Sequence, residues 1–176
     1  MHKGIVHENI AISIIALINI PIFSSLEILQ EFFETYLPAH ILEKIDLNSL
    51  RLEKDYFKNL KQKIKDAAEE MLGIELSEVS YHAQKWTKGA FASFHSDNTD
   101  EYGNHTAFER SKFAVFLYLN EDFEGGLLKF SADYGKNKFD LKPKTGMFAI
   151  FHGGHRNMHE VSVIKHGVRY TIGSFW

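Results

Sequence analysis

A helical period over the first half of the chain and a strand period over the second predict an α+β domain with a sandwich or jelly roll as its body. From Ser24 to about Gly73 apolar residues recur at i, i+3 and i+4, whereas from Val79 onward they alternate or run in short blocks. Gly125-Gly126, Gly135, Pro143 to Gly146, Gly153-Gly154 and Gly167 punctuate those blocks as turns. No repeat, low-complexity tract or linker divides the 176 residues. One domain is therefore expected, with helical support over about 1–75 and the strand-built core over about 76–176.

The elements follow in order. Ile10 to Phe23 is the one long apolar run, broken by Ser13, Asn19 and Pro21 and shorter than the ~18 residues of a membrane span. Lys3 precedes it, but no small-x-small cleavage site follows, so a buried opening element is expected rather than a signal peptide. Ser24 or Ser25 can cap a helix carrying Leu26, Leu29, Phe32 and Phe33. Asn48 or Ser49 can cap a second, with Leu52, Phe57, Leu60, Ile64, Ala67 and Met71 on one side and Gly73 after its last turn. Phe113, Val115, Leu117 and Leu119 alternate along one strand. Leu127 to Phe130, Phe139 to Leu141, Met147 to His152, His159 to Val163 and Val168 to Phe175 read as further strands. The polar stretch Asn98 to Arg110 is the one long irregular connection, and its length suggests a mobile lid that supplies substrate contacts.

Composition narrows the function. A net charge of -3 gives no basic surplus for nucleic acid or an acidic membrane. The absence of cysteine excludes a disulfide scaffold, thiol catalysis and a thiolate metal site, and it fits a reducing, cytoplasmic setting. Fifteen Phe, seven Tyr and two Trp suit a β-structured core or a walled pocket.

Against that background four residues stand out: His95 and Asp97 in a His-x-Asp pair, and His159 and Arg169 far downstream. On a strand, residues two apart point to the same side, so His95 and Asp97 can meet one ion. Two imidazoles and a carboxylate can occupy one face of an octahedral Fe(II) and leave three sites open. Alone, a His-x-Asp pair is common and also describes an ordinary turn. His159 strengthens it, because it opens a strand that leads through Gly167 to Arg169, which would put the two on neighbouring antiparallel strands. His152 and His155 flank a Gly-Gly turn and His166 adjoins Gly167, so all three read as loop residues. The planar fork of Arg169 suits a carboxylate. The set points to a non-haem iron oxygenase.

The strings FHSDN, FLYLNEDFEGGLLKF, LKPKTGMFAIF and HEVSVIKHGVRYTIGSFW, in that order, resemble the 2-oxoglutarate and Fe(II)-dependent dioxygenases of the prolyl hydroxylase type. HSDN and LKPKTG resemble the prolyl 3-hydroxylase branch more than the 4-hydroxylases. The likeness covers roughly the last 95 residues, with a looser match at the amino-terminal helices. It implies a double-stranded β-helix (jelly roll) core. It implies Fe(II) held by His95, Asp97 and His159, 2-oxoglutarate as cosubstrate on Arg169, and O2, with ascorbate as a candidate addition. Thr171 is implied as a hydroxyl partner of the cosubstrate. Two family contacts are replaced here by Ala92 and Ala114, which leaves Tyr118 or Tyr81 to supply them. Asp97 keeps the carboxylate that halogenases of the superfamily lack, which implies hydroxylation of an unactivated C–H bond. The substrate is then a prolyl or other amino-acid residue in a peptide, or alternatively a free amino acid or small metabolite. A non-catalytic jelly-roll binding module is the reading from another class. No oligomeric state is implied.

Overall fold

The computed structural model describes residues 5–6, 13–17, 26–31, 42–46, 54–77, 80–100, 102–106, 109–132 and 137–176. The expected caps at Ser24, Ser25, Asn48 and Ser49, with Phe32, Phe33, Leu52 and Gly135, lie outside them.

Two antiparallel sheets face each other. The larger is assembled from β1 (Ile5–Val6), β2 (Ser13–Leu17), β3 (Leu42–Asp46), β4 (Ser80–Trp86), β6 (Phe113–Tyr118), β10 (Met147–His152) and β13 (Arg169–Phe175). Its order is β1-β2-β10-β6-β13-β4-β3. The smaller contains β5 (Ala92–His95), β8 (Leu128–Ala132), β9 (Asn137–Leu141) and β11 (Asn157–Val161), in the order β5-β11-β8-β9. A short ribbon joins β7 (Glu124–Gly125) to β12 (Ile164–His166). Apart from the β8–β9 hairpin and the β7–β12 ribbon, the strands from β4 onward pass back and forth between the two sheets, which is the winding of a double-stranded β-helix.

The sequence explains the layers. In β6 both residue sets are apolar because both faces are covered. Phe113, Val115 and Leu117 face a helix-side core, while Ala114 and Phe116 face the smaller sheet. Residues 26–31 form helix α1, of which Leu29 is fully buried. Helix α2 (Lys54–Leu72) lays Phe57, Leu60, Ile64 and Ala68 on the outer face of the large sheet. Burying each of the larger three contributes about 1.5–3 kcal/mol. Ala68 takes the inner position expected of Ala67, which is partly exposed. The helix ends where Gly73, at φ 67°, donates its N–H to the Glu69 carbonyl at 2.8 Å. Among the described residues no helix is long and apolar enough to cross a membrane.

The amino-terminal part is not purely helical. β2 extends the large sheet beside β10, and β3 extends it beside β4. Strand and helix segments therefore interleave before residue 76, because a short, charged strand such as Leu42–Asp46 has no core-facing period of its own and takes its conformation from its partner.

Candidate metal and cosubstrate site

Each metal-type residue is placed by a different device. His95 is the last residue of β5 and stands directly opposite His159 on β11. Asp97 lies just past the strand rather than on it, so the simple strand alternation expected for the pair does not apply. Its position is set instead by backbone bonds, since the N–H groups of Asp97 and Asn98 both donate to the Gly153 carbonyl, at 2.8 and 3.1 Å. A Cβ on Gly153 would sit 3.1 Å from the Asp97 Cβ, so glycine is what lets the two backbones approach.

His95, Asp97 and His159 converge, with ligand atoms all within 4.8 Å of one another. Among the described residues this is the one such cluster. The Nε2 atoms of His95 and His159 stand 3.8 and 3.7 Å from Asp97 Oδ1. Those gaps are too long for hydrogen bonds and leave room for an ion. Both rings point Nε2 inward for the same reason: Nδ1–H of His95 donates to the Ser93 carbonyl at 2.6 Å, and Nδ1–H of His159 to the Asn157 carbonyl at 3.2 Å. Burial lowers the His159 pKa to about 4, against that hydrogen bond. Burial, and then the neighbouring His159, also lower that of His95. Burial raises Asp97 to about 6, opposed by His95. With neutral imidazoles the His–Asp contacts are not ion pairs, and Asp97 Oδ2 is buried with no hydrogen-bond partner. Two imidazole lone pairs and an unsatisfied carboxylate fit a divalent first-row metal. His152 instead accepts the Gly154 N–H, and His166 is exposed beside Glu124.

Arg169 opens β13 in the large sheet, whereas His159 lies in the small one. The expectation of neighbouring strands is therefore corrected. In the residues between them β12 and the Gly167 turn carry the chain from one sheet to the other, and the two side chains face a shared cavity across the sandwich. Arg169 is 1% exposed, and its Nε and Nη1 have no hydrogen-bond partner. Its guanidinium lies 4.9 Å from the Trp86 ring and 5.0 Å from the Tyr118 ring, a cation between two aromatic faces. Gly126, at φ 62°, keeps clear the space beside the arginine stem, where a Cβ would come 3.2 Å from Cδ. Buried donors with nothing to bind fit an anionic ligand.

The cavity, of about 130 Å³, is lined on its polar side by Lys44, Gln84, the metal-type triad and Arg169, and on its apolar side by Trp86, Phe116, Leu128 and Val161. Ala92 lines it too, whereas Ala114 is buried in the apolar cluster beside it. The other expected contacts stand behind the wall. Thr171 is buried on the same strand as Arg169, and its hydroxyl donates to Gln84 Oε1 at 3.1 Å. Tyr118 is fully buried against Arg169, and Tyr81 belongs to the helix-side core.

Gln84 and Trp86, missed in the sequence, are fixed by this network. Gln84 Oε1 accepts from Trp86 Nε1 at 3.1 Å and from Thr171, and its Nε2 donates to His82 Nε2 at 3.0 Å. The signal was present in Ser80–Trp86, where His82, Gln84 and Trp86 alternate with Tyr81 and Ala83.

The described residues of the loop after Asp97 are tied to one another. Asp100 Oδ1 accepts the Tyr102 and Asn104 N–H groups at 2.9 and 2.8 Å, and Thr99 bridges to His105. None of its described residues beyond Asp97 lines the cavity.

Residues 80–176, more than half of the chain, match the family profile of the 2OG-Fe(II) oxygenase superfamily. The chain belongs to that superfamily. Solved structures of low identity share its fold. A prolyl-4-hydroxylase from Pseudomonas putida aligns with TM-score 0.68 and 20% identity over 95% of this chain and 92% of that one. A prolyl hydroxylase from Trichoplax adhaerens, in complex with a hypoxia inducible factor peptide fragment, aligns with TM-score 0.71 and 14% identity over 92% and 82%. Prolyl 3-hydroxylase 2 of Rattus norvegicus is 33% identical over 67 residues, which are 38% of this chain. That match spans only 10% of the length of the curated relative.

Proposed function

We propose that this superfamily member is an Fe(II)- and 2-oxoglutarate-dependent dioxygenase that hydroxylates an unactivated C–H bond of an amino-acid unit. The observation that carries the reading is one cavity holding both the His95–Asp97–His159 cluster and the buried guanidinium of Arg169, whose Nε and Nη1 have no hydrogen-bond partner. When bound, Fe(II) and 2-oxoglutarate supply the oxidising chemistry, in which one atom of O2 enters succinate as CO2 is lost and the other becomes the product hydroxyl. The protein's share is to bind, orient and keep dry. His95 and His159 offer Nε2, and Asp97 offers its carboxylate. Arg169 takes the distal carboxylate of the 2-oxo acid with its fork. Trp86 and Tyr118 hold that fork in plane, and Thr171 fixes Gln84 beside it. Trp86, Phe116, Leu128 and Val161 exclude water from the reacting centre. The Trichoplax neighbour's peptide complex supports a peptide as one form of the substrate. The absence of cysteine supports a cytoplasmic setting.

Anaerobic titration with Fe(II) and then 2-oxoglutarate tests this. A weak visible charge-transfer band that requires both ligands is expected, followed by succinate release on admission of air. A protein that binds Fe(II) yet shows neither band nor succinate is not this enzyme.

A further inference from the structure

Among the described strands β3 is the edge of the large sheet, and its register is fixed by β4, with Lys44 opposite Gln84. On the other side of β4, Gln84 stands opposite Thr171, which stands opposite Tyr118. One level of the sheet thus carries a polar row, Lys44–Gln84–Thr171–Tyr118, on the face that looks into the sandwich. Gln84 and Thr171 are tied down, since Gln84 is held by Trp86, Thr171 and His82. Lys44 is the outermost member, is exposed, and still lines the cavity that holds the metal-type triad.

Its charge is not needed by the cosubstrate. The buried fork of Arg169 already offers two unpartnered N–H groups. The two charges of a divalent metal and the one of Arg169 are cancelled by Asp97 and the two carboxylates of the 2-oxo acid. Lys44 is then a surplus cation at the mouth of a loaded, neutral site. A neutral substrate would leave it unused, whereas a carboxylate beside the reacting C–H would meet it.

We infer that Lys44 is the substrate-recognising cation of this site, and that the substrate presents a carboxylate to it, as a free amino acid or a chain-terminal residue does. This rests on the hydroxylase reading above. A mid-chain peptide unit can satisfy it only where an acidic side chain stands beside the modified C–H.

The experiment uses the full chain loaded anaerobically with Fe(II) and 2-oxoglutarate, and calorimetric titration with free L-amino acids and with their α-carboxamides. At least one acid is expected to bind about tenfold or more tighter than its amide, the value of one charge-assisted hydrogen bond. Lys44→Met keeps the aliphatic stem and should reduce that ratio to near one, with the affinity for 2-oxoglutarate unchanged; Lys44→Glu should invert it. A panel in which no acid outbinds its amide overturns the inference, and so does a ratio that survives in Lys44→Met. A Lys44→Met protein that instead loses 2-oxoglutarate affinity also overturns it, by assigning Lys44 to the cosubstrate. Failure of the charge-transfer band in the wild type is a separate result and strikes the hydroxylase reading.

Discussion

Replacing Arg169 by methionine separates what the buried guanidinium costs from what it does. In the absence of ligand the cation is 1% exposed, with Nε and Nη1 unpartnered. Burial lowers its pKa from the ordinary value, partly opposed by the neighbouring Tyr118 hydroxyl, as for a charge held away from water. An uncompensated buried charge costs several kcal/mol. The stacking on Trp86 and Tyr118 returns about 0.5–2 kcal/mol for each ring. Methionine fills much of the stem volume and carries no charge, so Arg169→Met should leave the ligand-free protein as stable as wild type or more so. A gain of about 1 kcal/mol corresponds to roughly 2–4 °C in Tm for a chain of this size. Binding should move the other way. Two charge-assisted hydrogen bonds are worth about 1.5–3 kcal/mol each, so affinity for 2-oxoglutarate should fall roughly 10²- to 10⁴-fold. Wild type with metal and 2-oxoglutarate at a hundred times Kd should gain about 2.7 kcal/mol, and the variant almost none. Arg169→Lys keeps a charge but loses the fork and should fall between them. Thermal melts with and without 2-oxoglutarate, at fixed metal, read both quantities. A methionine variant that melts well below wild type without ligand, yet keeps the ligand-induced shift, would refute the reasoning on both counts.

The site was more legible in the sequence than the sheets that build it. His95, Asp97 and His159 could be picked out by residue type and order along the chain, although the strand alternation expected of the first pair fails at Asp97, which lies past β5. The device that brings Asp97 round was not legible, because it depends on the Gly153 carbonyl, a contact across 56 positions of chain (153 minus 97). Arg169 was legible by type and by its place after a Gly turn. Its sheet was not, because the short β12 segment reads as part of a hairpin when no partner strand is known. Lys44 was invisible for the same physical reason. A five-residue charged strand pairs with β4 only after helix α2 has intervened, and the register that puts Lys44 opposite Gln84 is a long-range property. The helices and the paired cores followed from local period, whereas the interleaving of β2 and β3 into the large sheet required tertiary pairing.

The remaining expectations concern how Asp97 is held and charged. Gly153→Ala would place a methyl 3.3 Å from Asp97 Oδ2 and should weaken metal binding about 10- to 100-fold, as displaced supports of metal ligands do, with little change in the ligand-free melt; unaltered metal affinity would show that Asp97 can give way. Folded, metal-free Asp97 holds a proton up to about pH 6, while His159 stays neutral down to about pH 4. Between these values metal binding should release close to one proton and log K should rise about one unit per pH unit, flattening above; a slope of two would mean that an imidazole is protonated as well. The same shifts act oppositely on the ligand-free protein. His159 has a folded pKa below its unfolded one and costs stability as pH falls from 6.5 toward about 4, while Asp97, raised from 3.8 to about 6, returns some as pH falls from about 6 to 3.8. His82, lowered to about 4 chiefly by burial, sides with His159, so the net direction on acidification is loss, which a pH series of melts would check. Asn98→Ala then decides what the loop after Asp97 is for. Asn98 is 5% exposed and its Nδ2 donates to the Ser111 carbonyl at 2.8 Å, while its backbone N–H shares the Gly153 carbonyl with that of Asp97. Removing the side chain strands the Ser111 carbonyl, at about 1–3 kcal/mol, and frees the residue next to Asp97. A loop that braces Asp97 should lose metal affinity about tenfold in this variant, with the loss carried through to every activity. A loop that closes over substrate should keep metal and 2-oxoglutarate binding and lose only substrate-dependent turnover. The cavity lining, which includes Asp97 and no described residue of the loop beyond it, favours the first outcome, and intact metal affinity in Asn98→Ala would overturn it.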